Sequence, residues 1–375
     1  MKLRNIIHQI HLWLGLLSGA IVVVLAITGC ILAFEQEIKL SLHADRYYVP
    51  EVRDKKLPMS SLKEIADGAF PFEGKARRAE ISGDPQRTYV FRSMKINADA
   101  WTYWGYYEYY TRVYVDPYSG KVIYVEDAKK DFFELVLNLH RRLWLGEKIG
   151  RPITGYATLV LLVVLVSGLF IWVPRKLNKK SAKWMFLVKK TRNIKRLNYD
   201  FHKVAGFYAT IPLLLICYSA MIWGFKGWDA TVQRLLNGKE EQQKTDSVIP
   251  LEIRPIEEVT DRIWSRLAKT LKRENKVYFN FPRTEKGSFN VEVIRADKLY
   301  QSDKYNFDQY SGVQTAVLRY EDDSIGRGTR LRSMNYDLHT GSVWGTIGRY
   351  LYFFVGLICV ILPISGFIIW WNKKG

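Results

Sequence analysis

The sequence predicts an α-helical membrane protein in which four transmembrane helices, built from a duplicated unit, carry two extracytoplasmic α+β domains. Three observations support this fold class. Four apolar runs are each long enough to cross the roughly 30 Å hydrocarbon layer of a bilayer, which takes about 20 helical residues. The basic residues cluster beside those runs, and the motifs of the first half of the chain recur in the same order in the second half.

The excess positive charge is confined to short segments beside the apolar runs. The chain has 56 Lys and Arg residues against 37 Asp and Glu residues, a net charge of +19. Segments 1–10, 174–198 and 372–375 carry 14 of the basic residues and no acidic residue, which leaves a net charge of +5 for the rest of the chain. This distribution is typical of cytoplasmic membrane-protein loops and argues against nucleic acid as a partner.

The apolar runs and the basic segments divide the chain into seven regions. Because basic loops stay in the cytoplasm, we expect both chain termini to be cytoplasmic and the two large polar regions to lie outside the membrane. Alternating β-branched and aromatic residues predict a sheet in each large region. In chain order, the regions are 1–34 (first span, cytoplasmic N-terminus), 35–135 (first outer domain), 136–173 (outer interfacial segment and second span), 174–203 (basic cytoplasmic loop), 204–225 (third span), 226–335 (second outer domain) and 336–375 (fourth span, cytoplasmic C-terminus).

The first apolar run admits a second interpretation, because a basic start followed by Ile27-Thr28-Gly29-Cys30 resembles a lipoprotein cleavage site. The apolar run continues past Cys30 to Phe34, and three further runs follow, which favours a retained helix. Cys30, Cys217 and Cys359 all lie within apolar runs and form no CxxC pattern. A disulfide framework, a cysteine-held iron–sulfur cluster and c-type haem attachment are therefore excluded.

The sequence contains an internal repeat whose unit is a span, an outer domain and a second span. One shared mark, Asp-x-Tyr-Ser-Gly at 116–120 and 308–312, is typical of a hairpin turn. The other matched motifs are His11-x-x-x-Gly15 with His202-x-x-x-Gly206, Thr28-Gly29 with Ser219-Ala220, His140 with His339, Ile149-Gly150-Arg151 with Ile347-Gly348-Arg349, and Ser167-Gly168 with Ser365-Gly366.

Four of the six histidines occupy matched positions of the repeat, each before or at the beginning of a span. A single histidine there is usually a hydrogen-bonded interfacial residue, but two matched pairs favour function. Two imidazoles are too few for a protein-only zinc or copper site, whereas haem supplies four nitrogens and needs two axial ligands. The sequence therefore predicts two b-type haems, with iron ligands His11 and His202 on the cytoplasmic side and His140 and His339 on the outer side.

The residues around these histidines suit a porphyrin. Gly15 and Gly206 follow their histidines by one helical turn and leave room for a flat ring. The alternatives are close helix packing for the glycines and snorkelling of basic side chains to the interface. The candidate partners for haem propionates are Arg142, Arg151 and Arg349 on the outer side, and Arg4 and Lys203 on the cytoplasmic side.

The two remaining histidines are weaker candidates. His8 lies three residues before His11 on the same helical face and is an alternative ligand. Its counterpart in the second half is Tyr199, so the repeat favours His11. His43 has no counterpart and is expected at the surface.

Residues 10–16 (Ile-His-Leu-Trp-Leu-Gly-Leu), residues 115–122 and the Leu-His pairs before two other spans resemble the PepSY-associated transmembrane proteins. That family includes iron-regulated membrane proteins and ferric-siderophore reductases of the bacterial inner membrane. The resemblance covers nearly the whole chain. It implies PepSY-type outer domains and two haems, one near each membrane face, at the four matched histidines.

We therefore expect an inner-membrane electron conduit that acts as a ferric-siderophore reductase. Electrons would enter at the cytoplasmic histidine pair and reach a ferric siderophore, or another ferric chelate, at the outer pair. No dinucleotide fingerprint is apparent, so a separate cytoplasmic reductase or quinol is the expected donor. The basic loop is expected to contact membrane lipid. The aromatic segment 101–110 either binds an aryl chelate or packs on its own sheet.

Two alternatives from other functional classes remain open. In an iron-chelate permease, the histidine pairs would be polar contacts between helices. In a regulatory membrane protein, the outer domains would bind peptide and the spans would be anchors. A visible haem spectrum of the purified protein separates the conduit from both alternatives.

Overall fold

The computed structural model describes residues 2–174, 178–237, 253–295, 298–322 and 325–373, and the structural statements below concern these residues. Parts of the predicted regions lie outside them. These parts are residue 1 of the first span, residues 175–177 of the basic loop, residues 238–252, 296–297 and 323–324 of the second outer domain, and residues 374–375 at the C-terminus.

Four helices are long and apolar enough to cross a membrane, so the prediction of a multi-pass membrane protein is confirmed. At a rise of about 1.5 Å per residue, each exceeds the thickness of the hydrocarbon layer. Short 3₁₀ segments occur at Ala128–Lys130 and Ser342–Trp344. The α-helices are α1 (Lys2–Leu32), α2 (Glu35–Leu42), α3 (Ala44–Tyr47), α4 (Met59–Ala69), α5 (Tyr103–Tyr106), α6 (Phe132–Arg142), α7 (Glu147–Trp172), α8 (Lys179–Phe186), α9 (Ile194–Gly224), α10 (Lys226–Asn237), α11 (Ile256–Ala268), α12 (Arg327–Ser333), α13 (Asn335–Thr340) and α14 (Gly345–Trp371).

The long helices α1, α7, α9 and α14 form a four-helix bundle. Helix α1 packs against α7 and α14, and α9 packs against the same two helices, so α1 and α9 face each other across the bundle. Helices α7 and α9 approach closely where small residues meet. A Cβ atom added to Gly224 of α9 would lie 3.5 Å from the Cα of Gly155 of α7. The three cysteines are buried as free thiols, as expected for apolar helix positions.

Eight strands form one antiparallel sheet with the spatial order β4-β3-β2-β1-β5-β6-β7-β8. The first four strands come from the region assigned to the first outer domain and the last four from the second. The strands are β1 (Arg78–Ser82), β2 (Tyr89–Ile96), β3 (Tyr107–Val115), β4 (Val122–Asp127), β5 (Lys276–Asn280), β6 (Ser288–Ile294), β7 (Ser302–Asp308) and β8 (Gln314–Leu318).

The two sheet regions are joined edge to edge, which the sequence did not indicate. Strands β1 and β5 pair over their full length, with Ile81 opposite Val277. An unpaired edge strand would expose a row of backbone N–H and C=O groups, and this pairing covers one edge of each four-stranded meander. The strands predicted for two domains therefore build a single sheet.

Helices α4 and α11 cover one face of this sheet. In β1, Ala79 and Ile81 point to the helices, whereas Arg78 and Glu80 alternate with them and point to the other face. The helix-covered face holds the main apolar core, whose members include Met59, Leu62, Phe91, Val113, Ile263, Leu267, Val277 and Phe279.

The two Asp-x-Tyr-Ser-Gly motifs form the β3–β4 and β7–β8 turns. The carboxylate of Asp116 accepts a hydrogen bond from the backbone N–H of Tyr118 at 2.8 Å, and Asp308 accepts one from Tyr310 at 3.1 Å. Each motif ends in a glycine with positive φ, 74° at Gly120 and 67° at Gly312, which favours glycine there. The interpretation of both motifs as hairpin turns is confirmed.

Candidate functional site

The first two matched histidines face each other across the bundle. His11 lies on α1 and His202 on α9, and their ring centroids are 6.4 Å apart with an angle of 89° between the ring planes. Because the C-terminal end of α1 leads into the sheet region, these histidines lie towards the other end of the bundle. We call them the far pair.

The other two matched histidines come together at the end of the bundle nearer the sheet. His140 lies on α6 and His339 on α13, and their ring centroids are 6.1 Å apart at an interplanar angle of 76°. Helix α6 begins where Asp131 accepts a hydrogen bond from the backbone N–H of Glu134. Helix α13 ends at Gly341, where φ is 78°. We call His140 and His339 the sheet-side pair.

The histidines of the sheet-side pair are half-buried, and the surroundings of their imidazoles disfavour the charged form. Burial lowers the pKa of His140 to about 4. Burial, together with the proximity of His140, lowers the pKa of His339 to about 3. Both imidazoles are therefore neutral near pH 7, which is the form of histidine that binds a metal ion.

The spacing within each pair fits one metal ion held between two imidazoles. With metal–nitrogen bonds of about 2.0–2.1 Å on opposite sides of an ion, the two ring centroids lie about 6.3 Å apart. The observed separations of 6.4 and 6.1 Å agree with this value. Among the described residues, no group of three or more His, Cys, Asp or Glu side chains is placed to hold a metal ion. An ion held by one such pair would take its remaining ligands from other groups, and a porphyrin is one group that supplies them.

A cavity of about 730 Å³ surrounds the far pair. A Cβ atom added to Gly15 would meet nothing within 4 Å, and one added to Gly206 would meet only Leu362, at 3.6 Å. Both glycines therefore leave open space at the cavity wall, as a flat ring requires. None of the described residues that line the cavity is Asp or Glu, and its basic lining residues are Arg4, Lys189, Arg196, Lys203 and Lys373.

The arginines predicted to bind haem propionates on the other side already have acidic neighbours. Arg142 lies 3.3 Å from the carboxylate of Glu147, and Arg151 lies 2.9 Å from the same carboxylate group. Arg349 pairs with Glu37 at 2.6 Å. Arg142 is buried, and its Nη1 atom has no hydrogen-bond partner among the described residues. Of the three arginines, Arg142 thus offers a donor suited to an anionic group.

The two unmatched histidines do not join a pair. His8 lines the cavity around the far pair, but the ring that lies against His202 is that of His11. His43 is half-buried, and its Nδ1 lies 3.1 Å from a guanidinium nitrogen of Arg46.

The aromatic segment 101–110 packs mainly within the sheet region. Its four buried tyrosines form a small core with Ala128, and Tyr109 stacks on Phe72 with ring centroids 3.7 Å apart. The side chains of Trp101 and Trp104 are 76% and 59% exposed. The buried tyrosines of this core are Tyr103, Tyr106, Tyr107 and Tyr110.

Four hydroxyl groups contact the histidines, and the sequence alone assigns them no role. Each hydroxyl lies within hydrogen-bond distance of Nδ1 of one imidazole. The pairs are Ser167 with His11 at 3.1 Å, Thr28 with His140 at 2.9 Å, Ser365 with His202 at 2.8 Å, and Ser219 with His339 at 2.9 Å. The available signal was the recurrence of a hydroxyl residue followed by glycine or alanine at matched positions of the repeat.

Comparison with protein families gives one match of nearly full length. The model of the family described as the PepSY-associated TM region matches residues 8–373. This range includes all four long helices except the first residues of α1, and all eight strands. No curated protein matches the chain.

Proposed function

This chain belongs to the family of PepSY-associated TM regions, and on that premise we propose that it is a di-haem b membrane oxidoreductase that reduces a ferric siderophore. The observation that carries the proposal is the spacing of the two histidine pairs, 6.4 and 6.1 Å between ring centroids. Two such pairs, without a third protein ligand among the described residues, match the axial ligand set of b-type haem.

His11 and His202 would hold one haem, and His140 and His339 the other. When bound, haem supplies an iron that alternates between Fe(III) and Fe(II). The chain itself contributes an apolar core to the bundle, whose members include Val22, Leu165, Leu213 and Cys217. The basic residues that line the far cavity are suited to neutralise propionates, and Arg142 is suited to do so on the sheet side.

The separation of the pairs along the bundle supports transport of electrons across the membrane. A Cβ atom added to Gly29 of α1 would contact the ring of His140, and Gly29 lies 18 residues after His11 on the same helix. At about 1.5 Å per residue, the two levels are about 27 Å apart, close to the thickness of the hydrocarbon layer. One histidine pair therefore lies near each boundary of the layer.

The orientation follows from charge. Basic residues concentrate in segments 1–10, 174–198 and 372–375, and the described residues of these segments lie at the end of the bundle that holds the far pair. In a bacterial inner membrane, the positive-inside rule predicts that this end faces the cytoplasm and that the sheet region lies in the periplasm. We also propose that the chain arose by duplication, since each half supplies two long helices and a four-stranded meander.

The proposed acceptor is a ferric siderophore or another ferric chelate on the sheet side. Each bound Fe(III) takes up one electron and becomes Fe(II), which oxygen donors hold less tightly than Fe(III). The electron comes from a separate cytoplasmic reductase or from quinol. The basic segments between α7 and α9 are suited to anionic lipid headgroups.

A visible spectrum and a haem assay of the purified protein test the proposal. Protein from haem-replete cells should show the spectrum of low-spin bis-histidine haem b, with a haem content near two per chain. A double variant, His11→Ala with His339→Ala, removes one ligand of each pair and should be colourless. Wild-type protein that contains no haem and takes up none on reconstitution would overturn the proposal.

A further inference from the structure

The hydroxyl groups that contact the four histidines each have an acceptor for their own hydrogen. Thr28 Oγ1 donates to the carbonyl of Val24 at 2.7 Å. The three serine hydroxyls donate to carbonyls one turn earlier in their helices. These bonds are Ser167 to Val164 at 2.9 Å, Ser219 to Ile216 at 2.9 Å and Ser365 to Leu362 at 2.9 Å.

This arrangement fixes which imidazole nitrogen carries the proton. Because each hydroxyl hydrogen is used within its own helix, the hydroxyl oxygen is left to accept a hydrogen bond. The group placed to donate to it is Nδ1–H of the histidine. In a neutral imidazole with its proton on Nδ1, the lone pair lies on Nε2. His11 has a further acceptor for the same hydrogen, the carbonyl of Val164 at 3.0 Å.

We propose that Ser167, Thr28, Ser365 and Ser219 are positioning residues that lock the four histidines as Nδ1–H tautomers and present each Nε2 to iron. The presentation to iron rests on the proposed haem ligation, whereas the tautomer is a property of the polypeptide alone. Each long helix supplies one of these hydroxyls to a histidine on another helix, so all four helices take part.

At three of the four hydroxyls, the next residue is a glycine that lies against a second atom of the ring. A Cβ atom added to Gly168, Gly29 or Gly366 would lie 3.1–3.3 Å from Cε1 of His11, His140 or His202, respectively. The imidazole thus packs against bare backbone beside the hydroxyl that holds Nδ1. Together with Cγ, which is attached to the backbone through Cβ, these two ring atoms define the ring plane. The paired rings stand at steep angles to each other, 89° in the far pair and 76° in the sheet-side pair.

The hydroxyl should also affect the redox potential of an iron held by the histidine. A hydrogen bond from the second ring nitrogen increases the basicity of the ligating nitrogen. A more basic ligand favours Fe(III) over Fe(II), so it lowers the potential. Removal of the hydroxyl should therefore raise the potential of the corresponding haem and weaken haem binding.

The first experiment measures the tautomers in haem-free protein. ¹⁵N-histidine NMR of the full-length protein near pH 7 should show four histidines with Nδ1 protonated and Nε2 unprotonated. In Ser365→Ala, one of these four should change towards a mixture of tautomers. Ser365→Thr, which has the same side-chain type as Thr28, should restore the wild-type signal.

The second experiment measures the haem-loaded protein. We choose Ser365 because its hydroxyl is the closest of the four to its imidazole, at 2.8 Å. Ser365→Ala should weaken binding of the far haem by roughly 10–100-fold and raise its midpoint potential, and Ser365→Thr should restore both. Thr158→Ala is the control, because its hydroxyl also donates within its own helix, to Thr154 at 2.9 Å.

The outcomes separate this inference from the proposed function. A haem-loaded wild type, with Ser365→Ala unchanged in tautomer, haem affinity and potential, would overturn the positioning role and leave haem binding intact. A wild type that binds no haem would overturn the proposed function, while the NMR experiment still decides the tautomers. If Ser365→Ala does not fold, Ser219→Ala and Ser219→Thr provide the same comparison at His339.

Discussion

Gly366 on α14 lies directly against the imidazole of His202 on α9. A Cβ atom added to Gly366 would be 3.2 Å from Cε1 of His202, a tight contact that a small shift of the ring relieves. The matched position after Ser219 holds Ala220, so one of the four positions already carries a methyl group. This relationship limits the side chains that positions 29, 168 and 366 accept.

The first prediction follows from this contact. Gly366→Ala should retain both haems with at most a small change in spectrum, whereas Gly366→Leu should displace the ring of His202 and reduce the haem content from two per chain to one. The haem assay of the purified variants measures this. Ala220→Gly serves as the matched control and should keep both haems. Full haem content in Gly366→Leu would show that His202 is not held by the contact described above.

A second prediction assigns the haems to the pairs. His140→Ala or His339→Ala should remove the haem of the sheet-side pair, and His11→Ala or His202→Ala should remove that of the far pair. A redox titration of each variant would then show one haem with one midpoint potential. This potential should differ between variants of the far pair and variants of the sheet-side pair. His8→Ala should keep both. Loss of the far haem in His8→Ala, with its retention in His11→Ala, would identify His8 as the ligand.

The histidine pairs illustrate what the sequence can predict. The four apolar runs and the repeat identify four candidate ligands, because both patterns can be recognised from short stretches of sequence. These candidates are His11, His140, His202 and His339. The hydroxyl partners are not predictable in this way. Ser365 contacts His202 only because α14 packs beside α9, and the packing order of helices with similar apolar surfaces is not encoded in any one helix.

The third prediction concerns Arg142. Its guanidinium lies over the ring of Tyr106 at 4.1 Å and near Glu147, yet Nη1 has no partner among the described residues. If this atom donates to a propionate, Arg142→Gln should weaken binding of the sheet-side haem by roughly tenfold, equivalent to about 1.4 kcal/mol. Haem dissociation measured by transfer to an acceptor protein checks this. The exposed neighbour Arg141, changed to Gln, should have no effect, and equal dissociation in both variants would contradict the proposed role.

The fourth prediction concerns pH and the junction between sheet and bundle. Asp131 caps α6 and lies 2.9 Å from Lys39 on α2 and 3.7 Å from Arg112 on β3. Burial alone would raise the pKa of Asp131, but Lys39 and Arg112 outweigh it and hold the pKa below its usual value. The stabilisation is therefore complete above about pH 4 and is lost as the pH falls through the lower pKa of the folded state.

Asp131→Asn isolates this charge effect, because asparagine is also a good N-cap residue. The variant should lose about 1.5–3 kcal/mol of stability at pH 7 and less at pH 2, as measured by thermal unfolding at both pH values. Asp127→Asn removes an exposed pair with Lys130 and should change little. An equal destabilisation of Asp131→Asn at both pH values would mean that the cap, not the charge, is responsible.

The sheet shows a different limit of sequence-based prediction. Alternating residues identify strands such as β1 and β5, since each strand buries one face locally. Their pairing with each other places Arg78 opposite Asn280, 202 positions along the chain, and depends on how the two meanders meet. An edge strand pairs with its neighbour through backbone hydrogen bonds. Nearly every residue has these backbone groups, so the residue types do not indicate which strand will be the partner.

The last prediction concerns direction and substrate. Protein reduced with dithionite and freed of excess reductant should be reoxidised by a ferric siderophore, and a ferrous chelator should trap the Fe(II) formed. His339→Ala should abolish this ferric reduction while the haem of the far pair remains reducible. His202→Ala should block electrons from a cytoplasmic-side donor but spare reoxidation of the remaining, chemically reduced haem. Stopped-flow absorbance of the two variants measures both rates.

The sheet-side pair is expected to be the exit because of what surrounds each end of the bundle. The far end carries short basic segments, whereas the other end adjoins the sheet region, where Trp101 and Trp104 are exposed and available to a chelate. Trp223 also lies against His339, with ring centroids 5.1 Å apart, and is 42% exposed. Unchanged ferric reduction in His339→Ala would place the acceptor elsewhere. Reduced protein that is stable towards every ferric chelate would favour a different acceptor, with electron transfer through the bundle unaffected.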